Sequence, residues 1–307
     1  MDVVKSIHEL IGKTPLLELT SFPLPNNVRL VAKLEYLNPG GSVKDRLGQT
    51  LLKEAVQSGQ LKKGGTIIEP TAGNTGIGLA LAAIGQGYQV MFVVPEKFSV
   101  EKQTLMKALG AEIVHTPTEL GMKGAIAKAN ELFRTIPNAY SPRQFENPAN
   151  PKAYYETLGP EIWEQTEGAV THFIAGAGTG GTFMGTTEFL KAQNPDIKAT
   201  IVEPEGSILN GGPEHPHKTE GIGMEFLPGY MKPEMFDSIR TISDEDAFKR
   251  VKELARLEGC LVGSSSGAAL HAALLEAEKA LPGSLLVTIF PDGSERYLSK
   301  KIYEGGI

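Results

Sequence analysis

Residues 172–182 read His172-Phe173-Ile174-Ala175-Gly176-Ala177-Gly178-Thr179-Gly180-Gly181-Thr182, a short apolar run that gives way to glycines and threonines where the helical pattern Gly181–Ala192 begins. Strand, glycine turn and helix in that order open a crossover unit, and the order repeats along the chain. Runs rich in β-branched and aliphatic residues stand at Thr66–Ile68, Val90–Val94, Glu112–His115, His172–Ala175, Thr200–Val202 and Leu285–Ile289. Helical periodicity follows at Ile77–Gly85, Val100–Leu109, Met122–Arg134, Tyr154–Glu164, Gly181–Ala192, Glu245–Glu258 and Ala268–Ala280. This alternation predicts an α/β protein with mostly parallel sheets. The series falls into two parts on either side of Pro142–Pro151, a stretch rich in Pro, Asn and Gln such as joins two domains.

With 307 residues the chain is long enough for two layered domains. Its net charge of −6, without a long basic block, argues against a nucleic-acid or anionic-membrane surface. No apolar run reaches membrane-spanning length, and Met1–Leu10, which contains Asp2, Lys5, His8 and Glu9, lacks the apolar core of a secretory leader. A single cysteine, Cys260, excludes an internal disulfide and a thiolate cluster, so a cytoplasmic protein is the default expectation. Cys260 and Trp163 read as core residues. His215-Pro216-His217 reads as an exposed pair with no third ligand evident, so no metal site is expected.

Three junctions of small residues carry the chemistry. In Glu69-Pro70-Thr71-Ala72-Gly73-Asn74-Thr75-Gly76 a strand gives way to a helix, whose free N-terminal amides suit a carboxylate or phosphate; a plain turn capped by Asn or Thr explains the same residues about as well. In Gly176–Thr182 the glycines free the amides to wrap a phosphate, with the Thr179 and Thr182 hydroxyls beside them. Gly176, Gly178 and Gly181 also fit G-x-G-x-x-G, and Glu203 stands where a ribose-binding acid would, so an NAD-dependent dehydrogenase is a rival from this segment alone. In Val262-Gly263-Ser264-Ser265-Ser266-Gly267 at least one serine is expected to cap the following helix, and another can offer a neutral hydroxyl to a ligand. A fourth stretch, Asn38-Pro39-Gly40-Gly41-Ser42-Val43-Lys44-Asp45-Arg46, sets Lys44 just after a glycine turn at a helix start. The helix dipole there lowers an amine's pKa, as a nucleophile requires, although a lone lysine is ordinarily a surface charge. A nucleophilic lysine, a phosphate cup and a carboxylate cup together describe an aldehyde cofactor with a phosphate tail that reacts with an amino acid.

At these residues the chain resembles the fold-type II pyridoxal-phosphate enzymes, specifically the cysteine synthase and cystathionine β-synthase family. The resemblance runs from Ile11-Gly12-Lys13-Thr14-Pro15-Leu16 to Phe290-Pro291-Asp292-Gly293-Ser294-Glu295-Arg296-Tyr297. It implies two three-layer αβα domains of the tryptophan synthase β-like kind: a smaller mobile domain at 38–145, and a larger one made of 1–37 and 146–307 that binds the cofactor phosphate. It implies pyridoxal 5'-phosphate as a Schiff base on Lys44, the catalytic residue, with Asn74 on the phenolic oxygen, Gly178, Thr179, Gly180, Gly181 and Thr182 around the phosphate, and Ser265 on the ring nitrogen. It assigns Thr71, Ala72, Asn74, Thr75 and Gln144 to the amino-acid substrate, and the loop Gly221-Ile222-Gly223 to the site's mouth. The implied reaction is a β-replacement through an aminoacrylate, with Lys44 as proton shuttle, in a cytoplasmic homodimer.

Three details bear on the incoming nucleophile. Ala72 stands where cysteine synthases of the family usually carry Ser, Glu203-Pro204-Glu205-Gly206-Ser207-Ile208-Leu209 resembles the cystathionine β-synthase version of that loop, and Glu225 matches an acidic position of the cystathionine-forming branch, where a carboxylate can pair with the ammonium of an amino-acid thiol. Glu225 reads otherwise as a solvated loop charge. The chain resembles compact bacterial forms that use O-acetylserine rather than serine, so the expected reaction is cystathionine formation from O-acetylserine and homocysteine. Cysteine synthesis with sulfide is the alternative, and an inactive homologue is the non-enzymatic one.

Overall fold

The computed structural model describes residues 3–304; Met1, Asp2 and Gly305–Ile307, which the sequence reading assigns to the larger domain, lie outside the described residues. The strands are β1 Leu16–Glu18, β2 Arg29–Leu34, β3 Thr66–Pro70, β4 Gln89–Pro95, β5 Glu112–Thr116, β6 Ala139–Tyr140, β7 Val170–Gly176, β8 Lys198–Pro204, β9 Ser238–Ile242 and β10 Leu285–Phe290. The helices are α1 Lys44–Gln57, α2 Asn74–Ala83, α3 Val100–Ala108, α4 Gly121–Thr135, α5 Ala149–Tyr155, α6 Leu158–Gln165, α7 Gly181–Gln193, α8 Asp244–Glu253 and α9 Ser264–Ala277. The chain divides into two compact units: one holds the stretch through Ile11 and Asn38–Asn150, the other Gly12–Leu37 and the stretch from Pro151 onward.

The first unit is built on a parallel sheet in the order β5-β4-β3-β6. Ile67, Ile68, Phe92, Val93 and Val94 are fully buried, the near-continuous apolar run of strands covered on both faces. On one face α4 packs Ala125 and Ala129 against Ile68 and Val93. On the other, α1 and α2 cross backbone to backbone. A Cβ on Gly48 would lie 2.2 Å from the Gly78 carbonyl carbon, and one on Gly78 would lie 2.2 Å from the Lys44 carbonyl oxygen, so only glycine permits this crossing. It sets the start of α1, at Lys44, one turn from the start of α2, at Asn74.

The second unit has the sheet order β1-β2-β10-β7-β8-β9, parallel except for the antiparallel edge pair β1–β2. Its core joins the sheet to α8 and α9 through residues such as Ile174, Val202, Val251, Leu270 and Leu286. The sequence pattern does not disclose β2 because Lys33 interrupts its apolar run. Lys33 is nonetheless fully buried. Its ammonium donates to Thr14 O at 2.6 Å, Glu161 Oε2 at 2.8 Å and Gln165 Oε1 at 2.7 Å, which is how the charge is accommodated inside the sheet.

Three expectations need correcting. The stretch before Gly12, read as part of the larger domain, belongs to the first unit, because His8 Nε2 bonds Leu81 O at 2.9 Å and Gln49 Nε2 donates to His8 O at 3.4 Å. Residues 146–150 join the same unit; Asn150 Nδ2 donates to Gln144 O at 2.8 Å. The single helix expected at Tyr154–Glu164 is broken into α5 and α6 at Thr157, whose hydroxyl takes the Ala153 carbonyl at 2.6 Å and whose backbone leaves helical geometry. Trp163 is only half-buried, packed over Gly168 rather than in the core, whereas Cys260 is buried.

Candidate active site

In the first unit the candidate residues gather at the C-terminal end of β3. The loop Thr71–Gly73 leaves that strand, and α2 begins at Asn74 with Gly73 at its cap and no side chain capping it. Asn74 is thus the first helical residue rather than the cap the plain-turn reading needs. Its neighbours' amides keep the donor character of a helix start. Thr71 Oγ1 accepts from Gly73 N at 3.2 Å. Thr71 and Thr75 are buried, while Ala72 and Asn74 are half-buried. Thr75 Oγ1 donates to Gln144 Oε1 at 2.7 Å, so two residues 69 positions apart in the chain meet at this junction.

Lys44, half-buried, opens α1. The turn before it is closed by Asp45, whose buried carboxylate accepts from Gly40 N at 2.5 Å, and by Ser42 Oγ, which accepts from Lys44 N at 3.2 Å. Asp45 in the first turn complements the helix dipole that disfavours the Lys44 ammonium.

The loop that presents Gln144 is fixed by a residue that local spacing does not single out. Glu69, on β3 and 2% exposed, accepts from Arg143 N at 3.1 Å and Gln144 N at 3.3 Å. Burial pushes its carboxyl up to about 7, against the pull of the two amides and of Arg143.

In the second unit the phosphate-cup candidate lies at the C-terminal end of β7. Gly180 caps α7 at φ +81°, and no side chain caps the helix. The left-handed conformation demands glycine, and a Cβ there would lie 2.1 Å from Met231 Sδ, which would have to move. Thr179 and Thr182 are buried beside it, Thr179 Oγ1 accepting from Gly181 N at 3.4 Å. Tyr230, absent from the sequence reading, donates its hydroxyl to Thr179 O at 2.9 Å and fixes the loop from outside.

The serine junction follows at the end of β10, the strand beside β7. Val262 bridges to Gly293, and Gly263 N donates to Asp292 O at 3.1 Å. Asp292 is gripped by the Tyr297 hydroxyl, and burial, together with this contact, carries the Tyr297 phenol well above its usual range. Contrary to expectation, no serine caps α9: Gly263 is the cap, and Ser264 Oγ instead accepts from Glu220 N at 2.9 Å. That bond ties the serines to the loop 219–223, whose other end, Gly223 N, donates to Ala177 O at 2.8 Å. Asp244 holds the start of the loop through Lys218 N, Thr219 N and the Thr219 hydroxyl. Phosphate-cup candidate, Gly221 and the buried Ser265 are therefore one bonded assembly. Glu225 follows, exposed.

Glu203, the acid on which a dehydrogenase would rely, is fully buried and already accepts from Leu209 N, Asn210 N and the Thr241 hydroxyl at 2.8–3.0 Å. It orders the loop after β8 and has no surface to offer a ribose. His217, half-buried, bonds Thr219 O at 2.8 Å and packs on Gly223, which makes it part of the loop rather than the exposed residue expected.

The three glycine-capped helices α2, α7 and α9 share one property: each starts without a side-chain cap. For α2 and α7 that leaves backbone donors suited to anions, and for α9 a row of buried hydroxyls. In the first unit the amine at the start of α1 suits an aldehyde and the α2 start a carboxylate; in the second unit the α7 start suits a phosphate.

Comparison with known proteins agrees. The profile of a family described as pyridoxal-phosphate dependent enzyme matches residues 7–292. A protein of Bacillus subtilis (strain 168), named O-acetylserine dependent cystathionine beta-synthase, is 60% identical over 307 residues, all of both chains. A cysteine synthase of Helicobacter pylori (strain ATCC 700392 / 26695) is 54% identical over 305 residues, covering 99% of this chain and 100% of its own. The crystal structure of an O-acetylserine dependent cystathionine beta-synthase from Helicobacter pylori superposes with a TM-score of 0.95 at 54% identity, over 99% of this chain and 100% of that one. A match across nearly the whole chain, joined to relatives more than half identical from end to end, makes this protein a member of the pyridoxal-phosphate dependent enzyme family.

Proposed function

We propose that the enzyme catalyses β-replacement on O-acetylserine with homocysteine as the incoming thiol, releasing acetate and forming cystathionine. The observation that carries this reading is the 60% identity, over the whole of both chains, to a relative named O-acetylserine dependent cystathionine beta-synthase. Pyridoxal phosphate bound here supplies the electron sink that lets an amino acid lose its β-substituent. Lys44 is the residue that holds the cofactor's aldehyde carbon covalently, and its freed Nζ removes the substrate α-proton and later returns it. The amides and hydroxyls of Gly178–Thr182 hold the phosphate, and the Asn74 amide holds the phenolic oxygen. Ser265 gives the ring nitrogen a neutral partner, which suits elimination better than chemistry needing a long-lived carbanion. Thr71, Ala72, Asn74, Thr75 and Gln144 receive the amino acid. The Thr75 bond to Gln144 Oε1 turns Nε2 into the end of that amide that donates to the substrate carboxylate. The same reading carries a cytoplasmic homodimer.

Selection of the thiol falls to Glu225, which follows the bonded loop, and to Ala72. An exposed carboxylate costs nothing to keep charged, and it gains a charge-assisted bond only when an ammonium docks against it. Homocysteine brings that ammonium and sulfide does not. A second reading, cysteine synthesis with sulfide, is favoured by the Helicobacter pylori relative named cysteine synthase at 54% identity. Steady-state assays with O-acetylserine and each nucleophile test the proposal, with cystathionine as the expected main product. Glu225→Ala is expected to lower kcat/KM for homocysteine about 5- to 10-fold and that for sulfide less than about twofold. Equal losses with both nucleophiles would remove Glu225 from the reading.

A further inference from the structure

Glu69 is a buried acid with no assigned part in the chemistry. Its two oxygens meet two consecutive backbone amides, Oε2 receiving Arg143 N at 3.1 Å and Oε1 receiving Gln144 N at 3.3 Å. The turn it holds is a strained one: Arg143 has φ +49°, a left-handed conformation uncommon for a residue with a side chain. The carbonyls of the turn are engaged elsewhere, Arg143 O by Glu146 N and Asn147 N at 2.9 and 3.0 Å, and Gln144 O by Asn150 Nδ2 at 2.8 Å. The two inward-facing amides are the groups that depend on Glu69. From the same turn the Gln144 side chain reaches Thr75 Oγ1 at 2.7 Å. Glu69 and Thr75 flank the segment Pro70–Asn74, so strand end, turn, Gln144 and helix start close into a ring.

We propose that Glu69 is a positioning residue for the amino-acid substrate: its carboxylate holds the Arg143–Gln144 turn in the conformation that presents the Gln144 amide to Thr75 and to the substrate carboxylate. This rests on the reading of Gln144 as a substrate-binding group. An ionised carboxylate accepts from both amides at once. A protonated one turns one oxygen into a donor facing an N–H, and one of the two bonds is lost. Burial has raised the Glu69 carboxyl to about 7. The charged neighbours acting on it are Arg143, which lowers it, and Glu146, which raises it; the Tyr140 phenol on β6, itself pushed up to about 12 by burial and by Glu69 and Glu54, stays neutral. The hold on the turn is therefore complete above neutral pH and loosens as pH falls through about 7.

The test uses the holoenzyme and reads KM for O-acetylserine between pH 6 and 8. In the wild type this KM is expected to rise several-fold on the acid side. Glu69→Gln keeps one acceptor and loses the other, so its KM is expected to be raised about 5- to 20-fold at pH 8, with kcat within about threefold, the cofactor's absorbance retained and the pH dependence gone. A flat wild-type KM overturns the proposal even if the variant fails to fold. A Glu69→Gln enzyme with wild-type KM, or with kcat and KM altered together and the acid-side rise intact, overturns it as well. Gln144→Ala, assayed alongside, separates the two claims: an unchanged KM there refutes the role of Gln144. A raised KM in Gln144→Ala with a wild-type KM in Glu69→Gln refutes only the role of Glu69.

Discussion

Lys44 shows how little a single residue declares by itself. At a helix start its charge opposes the dipole. What distinguishes it from a surface lysine is its company: the Asp45-closed turn before it and the glycine-only crossing of α1 over α2 that ties its backbone to the start of α2. The proposed double duty, covalent hold and proton transfer, predicts that Lys44→Ala loses at least about 10³-fold in kcat while retaining cofactor through the Gly178–Thr182 loop. Dialysis and absorbance read the retention, and turnover reads the rest; activity within about tenfold of wild type would show that another base does the work. The turn and helix start around Lys44 were legible in the sequence because the residues that build them are neighbours in the chain. Glu69 was not, since an acid at a strand end looks the same whether it faces water or a turn 74 positions away.

At the scale of elements, the strand–glycine–helix junctions were the most legible part of the fold. The strands β3, β4, β7, β8 and β10 were visible as β-branched runs because a parallel sheet covered on both faces tolerates little else, and the edge strand β5 through Ile113 and Val114. Strand β2 was hidden by Lys33, and β6 is only two residues long. The missing cap on α9 was also not readable: whether Ser264 caps its own helix or accepts from Glu220 depends on a loop 44 residues upstream. The α7 junction yields a sharp prediction. Gly180→Ala places a methyl at φ +81° against Met231 and Met224, so the backbone is strained and the methionine side chains must move. Stability is expected to fall by about 1–3 kcal/mol and the cofactor dissociation constant to rise at least about tenfold, read by denaturation and by cofactor titration. Unchanged cofactor affinity would mean that the phosphate is held elsewhere.

For the whole molecule, family membership explains the common chemistry but not the choice of thiol, because relatives at 60% and 54% identity carry the names of two different reactions. Composition says nothing about that choice, and the fold, shared at a TM-score of 0.95, says little more. The difference rests on a few side chains, of which the exposed Glu225 and the small Ala72 are those the sequence exposes. Among the described residues no helix is long and apolar enough to cross a membrane. A competition reaction answers the central question in one vessel: O-acetylserine is supplied with homocysteine and sulfide at equal concentrations, and the initial ratio of cystathionine to cysteine equals the ratio of the two kcat/KM values. Cystathionine is expected to predominate; a predominance of cysteine would contradict homocysteine as the preferred thiol.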